Sequence, residues 1–252
     1  GFPLPKENLG GKTLRILKKD LVQRVLNLDP CGHYRKKYSS TVKRFLEKDS
    51  LKADAKICNY KTPTVTFAVG GAGAQRELGS QILASLKEKI KKNQINLNLV
   101  AGSRNEVYLY FKKQINQAGL SKRLNKNLNI IFDVNKQDYF EQFNQALRTT
   151  DILWTKPSEL VFYAALGLPI IMAPSVGSQE DFNRSWLRTI GAGISQMDPR
   201  YTHEWLFDQI NSGWLAEAAV SGFLDERQFG SYSIEDVVFK GLKDPDKHYQ
   251  LL

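Results

Sequence analysis

Two short polar stretches hold the residue types that could do chemistry. The first, "GGAGAQ" from Gly70 to Gln75, sets Gly70, Gly71 and Gly73 at the start of a helical pattern. Backbone N–H groups at a helix start point outward and the helix dipole favours negative charge, so a phosphate is a natural guest there. No Gly-Lys-Ser/Thr follows and the spacing is not Gly-x-Gly-x-x-Gly, so neither the P-loop nor the dinucleotide fingerprint is present. A tight turn that needs glycine to pack against a sheet accounts for the same residues. The second stretch, "GSQEDFN" from Gly177 to Asn183, gathers Ser178, Gln179, Glu180, Asp181 and Asn183. Its donors and acceptors could hold several hydroxyl groups. Equally, Ser178 reads as an N-cap and Glu180 and Asp181 as first-turn charges. Three scattered histidines and two cysteines, Cys31 and Cys58, give no metal-ligand spacing and no disulfide framework. Free thiols in a reducing, cytoplasmic compartment are expected.

Elements of alternating period must position these stretches. "PTVTFAV" (63–69) is short, β-branched and bounded by Pro63 and Gly70, the pattern of a buried strand. Residues 74–93 follow as a helix with Leu78, Ile82, Leu86 and Ile90 on one face. The alternation repeats, with strands at 95–102, 128–134, 151–155 and 169–174 and helices at 105–119, 137–149, 158–167 and 178–191; "GISQ" (193–196) offers a short sixth strand. After it the chain reads as helical. Strands alternating with helices mean βαβ units, hence an α/β fold with a Rossmann-like parallel sheet and helices on both faces. In such a sheet the loops after the strands share one edge, where the ligand crevice lies. Both polar stretches, the loop after Gly102, Asp133–Gln137 and Thr155–Glu159 all fall on that edge.

The 252 residues, 42% hydrophobic and 25% charged, suit one large soluble domain or an ordinary one with an appendage. No apolar run reaches the length of a membrane span. The formal net charge of +10 is uneven: residues 1–60 hold fourteen Lys and Arg against six acids, a net of +8, leaving about +2 for the rest. Residues 1–60 are therefore expected to be a basic helical segment. It would include a helix at 12–28 stopped by Pro30 and Gly32, and another at 38–49 capped by Ser39 or Ser40. Such a segment could meet anionic lipid or simply be a solvated surface. Nucleic acid is not expected as a partner, since no nucleic-acid motif accompanies the charge. The chain opens on Gly1 in "GFPLP", which reads as an excised piece of a longer protein or as a tag remnant.

The order of these features resembles a known family. A glycine loop after the first strand, a "DILWTK" strand, a helix ending "ALGLP", an apolar strand and then "QEDFN" is similar to the C-terminal half of GT-B glycosyltransferases. The resemblance is to the family 28 type, which includes the enzyme that adds N-acetylglucosamine to lipid-linked muramyl pentapeptide and the galactolipid synthases. It covers about residues 63–194, and "GFPLP" resembles that family's interdomain linker. It implies a domain over 61–252 that binds a nucleotide sugar, a UDP-sugar, as substrate without a cofactor. It also implies an acceptor domain outside this chain.

Carried over residue by residue, Gly70, Gly71 and Gly73 would lie against the diphosphate and the backbone from Phe132 to Val134 against the base. Gln179 and Glu180 would reach sugar hydroxyls, with Asn183 supporting the loop. The family's ribose-binding glutamate falls at Phe162, and its glycine-rich loop after "TK" is shortened to Pro157-Ser158. Glu159, one turn earlier, would take over the ribose contact or, equally, serve as a first-turn helix charge. These departures keep two alternatives open: an inactive GT-B-like binding module, and a nucleotide-sugar epimerase or hydrolase. No catalytic residue is assigned, because the base and acceptor site of the family belong mainly to its other domain.

Overall fold

The computed structural model describes residues 1–40, 61–68, 73 and 75–241. Gly70, Gly71 and nearly all of the helix expected at 38–49 lie outside them.

Six strands form one sheet: β1 (Thr64–Ala68), β2 (Asn96–Gly102), β3 (Leu128–Phe132), β4 (Ile152–Thr155), β5 (Ile170–Met172) and β6 (Gly193–Ser195). All pair in parallel, in the order β3-β2-β1-β4-β5-β6. A parallel sheet needs cover on both faces, so every residue of β1 is buried. On one face Trp154 meets the edge of Trp205, from the helix Thr202–Asn211. On the other, a Cβ placed on Gly193 would lie 3.3 Å from Leu187 Cβ and 3.4 Å from Met172 Cε, which puts the Ser178–Thr189 helix against Met172. The helix Arg76–Lys91 buries Leu78, Ile82, Leu83, Leu86 and Ile90, the stripe a 3.6-residue period demands.

Register is fixed by polar groups inside the sheet. Thr66 stands opposite Asn98, and Asn98 opposite Asn129. Asn129 Nδ2 donates to Asn98 Oδ1 at 3.0 Å, Asn98 Nδ2 to Thr66 Oγ1 at 3.0 Å, and Thr66 and Thr150 share a hydroxyl bond of 2.7 Å. A one-residue slip would break this chain and strand buried amides, each at a cost of about 1–3 kcal/mol.

The segment expected as a helix at 158–167 is a 3-10 helix, Glu159–Leu166, closed by Gly167 at φ +67°. Fourteen residues, 156–169, carry the chain from the end of β4 back to the start of β5, and eight of them form this helix. The 3-10 rise of about 2 Å per residue spans more of that distance than the roughly 1.5 Å of an α-helix.

The first forty residues are built into the core. In the helix Arg15–Leu28, Leu17, Leu21, Val25 and Leu28 are buried in the same cluster as the sheet, as are Leu4, Leu9 and Leu14. Leu14 is the left-handed N-cap of this helix, so the helix begins three residues after the start expected from sequence. Arg24 is 2% exposed. Its Nε donates to Thr150 O at 2.9 Å, and its Nη1 to Leu166 O at 2.8 Å and Gly167 O at 3.1 Å. Burial pulls its pKa down to about 10 against the attraction of Asp151 and Asp20. Burial likewise pushes the Asp151 carboxyl up to about 6, opposed by Arg24, the Thr64 N–H and Asn27. Arg24→Met would strand these carbonyls and leave Asp151 without its cation. Urea unfolding should show a loss of about 3–5 kcal/mol, several times that for the exposed Arg15→Met.

Candidate functional site

The chain runs outward from β1 through β2 and β3, then returns to place β4 on the other side of β1. Connections leaving β1 and β4 therefore diverge, and a crevice opens outside their carboxyl ends. Gly73 lies in the loop after β1 at φ +71°; a Cβ there would sit 3.0 Å from Val107 Cγ2. Glycine is thus required for both conformation and room, whatever the loop binds. Gln75, itself at φ +69°, donates from Nε2 to Pro174 O at 3.0 Å. This bond ties the loop after β1 to the loop after β5.

The loops after β4 and β5 are joined more firmly. Ser158 is 8% exposed, and its N–H donates to Lys156 O at 2.7 Å, closing a tight turn. Asn183 Nδ2 reaches back to Pro157 O at 3.0 Å. Lys156 Nζ meets Glu180 Oε1 at 2.5 Å, and Val176 N–H donates to Glu180 Oε2 at 2.7 Å. Glu180 is 3% exposed. Burial works to raise its pKa, but the hydrogen bonds from Lys156 and Val176 outweigh it and hold the carboxyl below the ordinary range. Glu180 also takes over the work expected of Ser178. The N-cap is Gly177, without a side-chain cap bond, and Glu180 reaches back over the helix start instead.

Gln179 and Glu159 are exposed on either side of this tie. Phe162 stacks on Phe2 with centroids 4.4 Å apart, and Phe2 meets the edge of Trp186 at 5.7 Å. The first residues thus wedge the β4–β5 crossover against the helix that carries Glu180 and Asn183. Phe132 and Val134 stand apart, at the end of β3. Phe132 stacks on Tyr108 at 4.7 Å and Val134 is 76% exposed. Asp133 between them accepts the Asn135 N–H at 2.9 Å and Gln142 Nε2 at 3.0 Å. Three strand spacings, about 14 Å, separate β3 from β4.

The structure therefore brings Ser158, Glu180 and Asn183 together and sets Phe132 and Val134 across the sheet from them. Lys156, Gln75 and Arg184 join the site although their side chains had been given no part in it. A lysine directly after a buried strand, on the ligand-bearing edge, was the available signal for the first. Among the described residues no group of three His, Cys, Asp or Glu is placed to hold a metal ion, and no helix is long and apolar enough to cross a membrane.

This is a Rossmann-like α/β domain of the GT-B kind. A family described as "Domain of unknown function (DUF6938)" matches residues 26–129. No curated protein matches the chain in sequence. Among solved structures, MurG of Acinetobacter baumannii is similar at a TM-score of 0.50 and 16% identity, over 73% of this chain and 51% of that one. A "putative UDP-N-acetylglucosamine 2-epimerase from Listeria monocytogenes" is similar at a TM-score of 0.52 and 10% identity, over 76% of this chain and 48% of that one. The chain spans about half the length of these structures, and the likeness is one of fold.

Lys156→Met would leave the buried Glu180 carboxylate without its cation, and burial would then raise its pKa. A carboxylate held below its unfolded pKa lends stability above that value and loses it as pH falls through the folded one. The variant should lose about 2 kcal/mol near neutrality. Its acid unfolding, followed by circular dichroism, should begin at higher pH than the parent's, whereas Glu180→Gln should flatten that part of the curve.

Proposed function

We propose that the crevice binds the nucleoside-diphosphate part of a nucleotide sugar, a UDP-sugar, and that the chain is the donor-binding domain of a GT-B glycosyltransferase of the family 28 type. The observation that supports this best is the joined pair of loops after β4 and β5, beside the glycine loop after β1 at the point where strand order reverses. Gly70, Gly71 and Gly73 would lie against the diphosphate, and Phe132 with Val134 would line the base. Ser158 and Glu159 would meet the ribose. Gln179 would reach the sugar hydroxyls, with both Glu180 oxygens and Asn183 holding that loop in place. The domain would stabilise a leaving diphosphate on oriented N–H groups while a hydroxyl from a separate acceptor domain attacks the anomeric carbon. Anionic lipid is the proposed peripheral partner of the basic first sixty residues, and the cytoplasm the proposed location.

The likeness to the Listeria monocytogenes protein favours a second reading, a nucleotide-sugar epimerase or hydrolase. The Phe2–Phe162 stack favours a third, a binding module without activity, because an aromatic pair fills the family's ribose-glutamate position.

The test is a thermal-shift series with UDP, UDP-sugars and other nucleoside diphosphates, since specific binding stabilises the native state by mass action. UDP should raise the melting temperature, and the isolated chain should transfer no sugar. Glu159→Gln should weaken binding of UDP about tenfold while changing binding of its 2′,3′-dideoxy analogue little. Equal losses for both ligands would move the inactive module ahead, and sugar transfer by the chain alone would overturn the assignment of the acceptor to another domain.

A further inference from the structure

At the inner end of the crevice several polar groups lack partners. Thr155, the last residue of β4, is 0% exposed, and its Oγ1 has no hydrogen-bond partner among the described residues. The same holds for the buried Ser175 Oγ and Arg184 Nε. Buried polar groups are nearly always bonded, so three on adjoining segments call for an explanation.

The topology places them together. Thr155 stands opposite Met172 in the β4–β5 pairing, so both side chains lie on the face covered by the Ser178–Thr189 helix. Trp154, on the opposite face, points away towards Trp205. Ala173 N–H donates to Thr155 O at 2.9 Å, and the Arg184 guanidinium reaches the same residue through a long Nη2 bond to Ala173 O of 3.4 Å. Ser175 follows two residues later. Charge is equally uneven. Lys156 and Glu180 neutralise each other at 2.5 Å, and Val176 N–H takes the other Glu180 oxygen. Arg184 makes no ion pair among the described residues. A half-buried guanidinium whose Nε is unbonded and whose Nη2 makes one long bond, on segments that also carry two unbonded hydroxyls, has donors to spare, and its planar fork suits a two-oxygen anion.

We infer that the β4–β5 end of the crevice holds a small anionic group, a phosphate or a carboxylate, between the Arg184 guanidinium and the hydroxyls of Ser175 and Thr155. The anion site is read from these groups alone; its identity as part of a nucleotide sugar rests on the reading above. Within that reading the anion is either the diphosphate or the carboxylate of an acidic sugar, a uronic acid.

Calorimetric titration of the full chain with inorganic phosphate, in chloride buffer, tests the site. The parent should bind, Arg184→Gln should bind about tenfold more weakly or worse, and Ser175→Ala should lose several-fold. Arg184→Lys should keep part of the affinity. Should Arg184→Gln fail to fold, Ser175→Ala decides, since it removes one oxygen. Phosphate that binds parent and variants alike, or none of them, with UDP-sugar binding also unchanged by the variants, overturns the site and leaves water as the partner of these groups. UDP, UDP-glucose and UDP-glucuronate then separate the sources. A loss for all three in Arg184→Gln assigns the diphosphate, and a loss for UDP-glucuronate alone assigns a sugar carboxylate. If phosphate binds in an Arg184-dependent way and no nucleotide does, the nucleotide-sugar reading falls while the anion site stands.

Discussion

One buried guanidinium sets the frame on which the crevice depends. Arg24 is buried, so its donors must be met within the protein, and they are met by carbonyls at two chain reversals. Thr150 O lies at the end of the helix that leads into β4, and Leu166 O and Gly167 O lie at the turn that leads into β5. Helix C-termini present partial negative charge, and a cation there lowers the electrostatic energy of ordering them. By pinning both reversals at the amino edge of the sheet, Arg24 fixes where β4 and β5 begin. These strands have four and three residues, so it also fixes where their loops emerge at the other edge.

At that other edge the loops use the same economy of groups. Glu180 satisfies Lys156 and Val176 at once, and Asn183 holds Pro157 O. Short strands cannot resist sliding by ladder bonds alone, so side-chain ties carry part of the alignment. Within the sheet the Asn129–Asn98–Thr66 chain does the same for β1, β2 and β3. The result is a crevice with stiff walls on the β4–β5 side, and preorganised donors are what a charged ligand rewards most.

The sheet was legible in the sequence because buried parallel strands are short apolar runs between turn residues, and most lay between helices of clear period. The sixth strand, only "GIS", was legible from its place after a helix rather than from its length. Several things were not legible. The 3-10 form of Glu159–Leu166 could not be read, because after Glu159 the segment is almost wholly apolar and shows no period. The depth of Arg24 could not be read, because a basic residue within "LKKDLVQRVLNL" looks like its solvated neighbours until the packing is known. Ser178 promised a cap, yet Glu180 reached the loop first, since a longer side chain could satisfy both Lys156 and a backbone N–H. Alternating asparagines in "NLNLV" showed polar positions but not their partners on neighbouring strands.

The Phe2 wedge has a consequence for the order of events during synthesis. Phe2 N–H donates to Arg227 O at 2.9 Å, and Ser231 Oγ donates to Leu4 O across 227 residues of sequence. A ribosome releases the first of these partners long before the second exists. Leu4, Leu9 and Phe2 must therefore wait, apolar and uncovered, while β1, β2 and β3 assemble from nearer contacts. The wedge against Phe162 and Trp186 cannot close before residue 186 has emerged, and the bonds that anchor it to Arg227 and Ser231 form only when almost the whole described chain has.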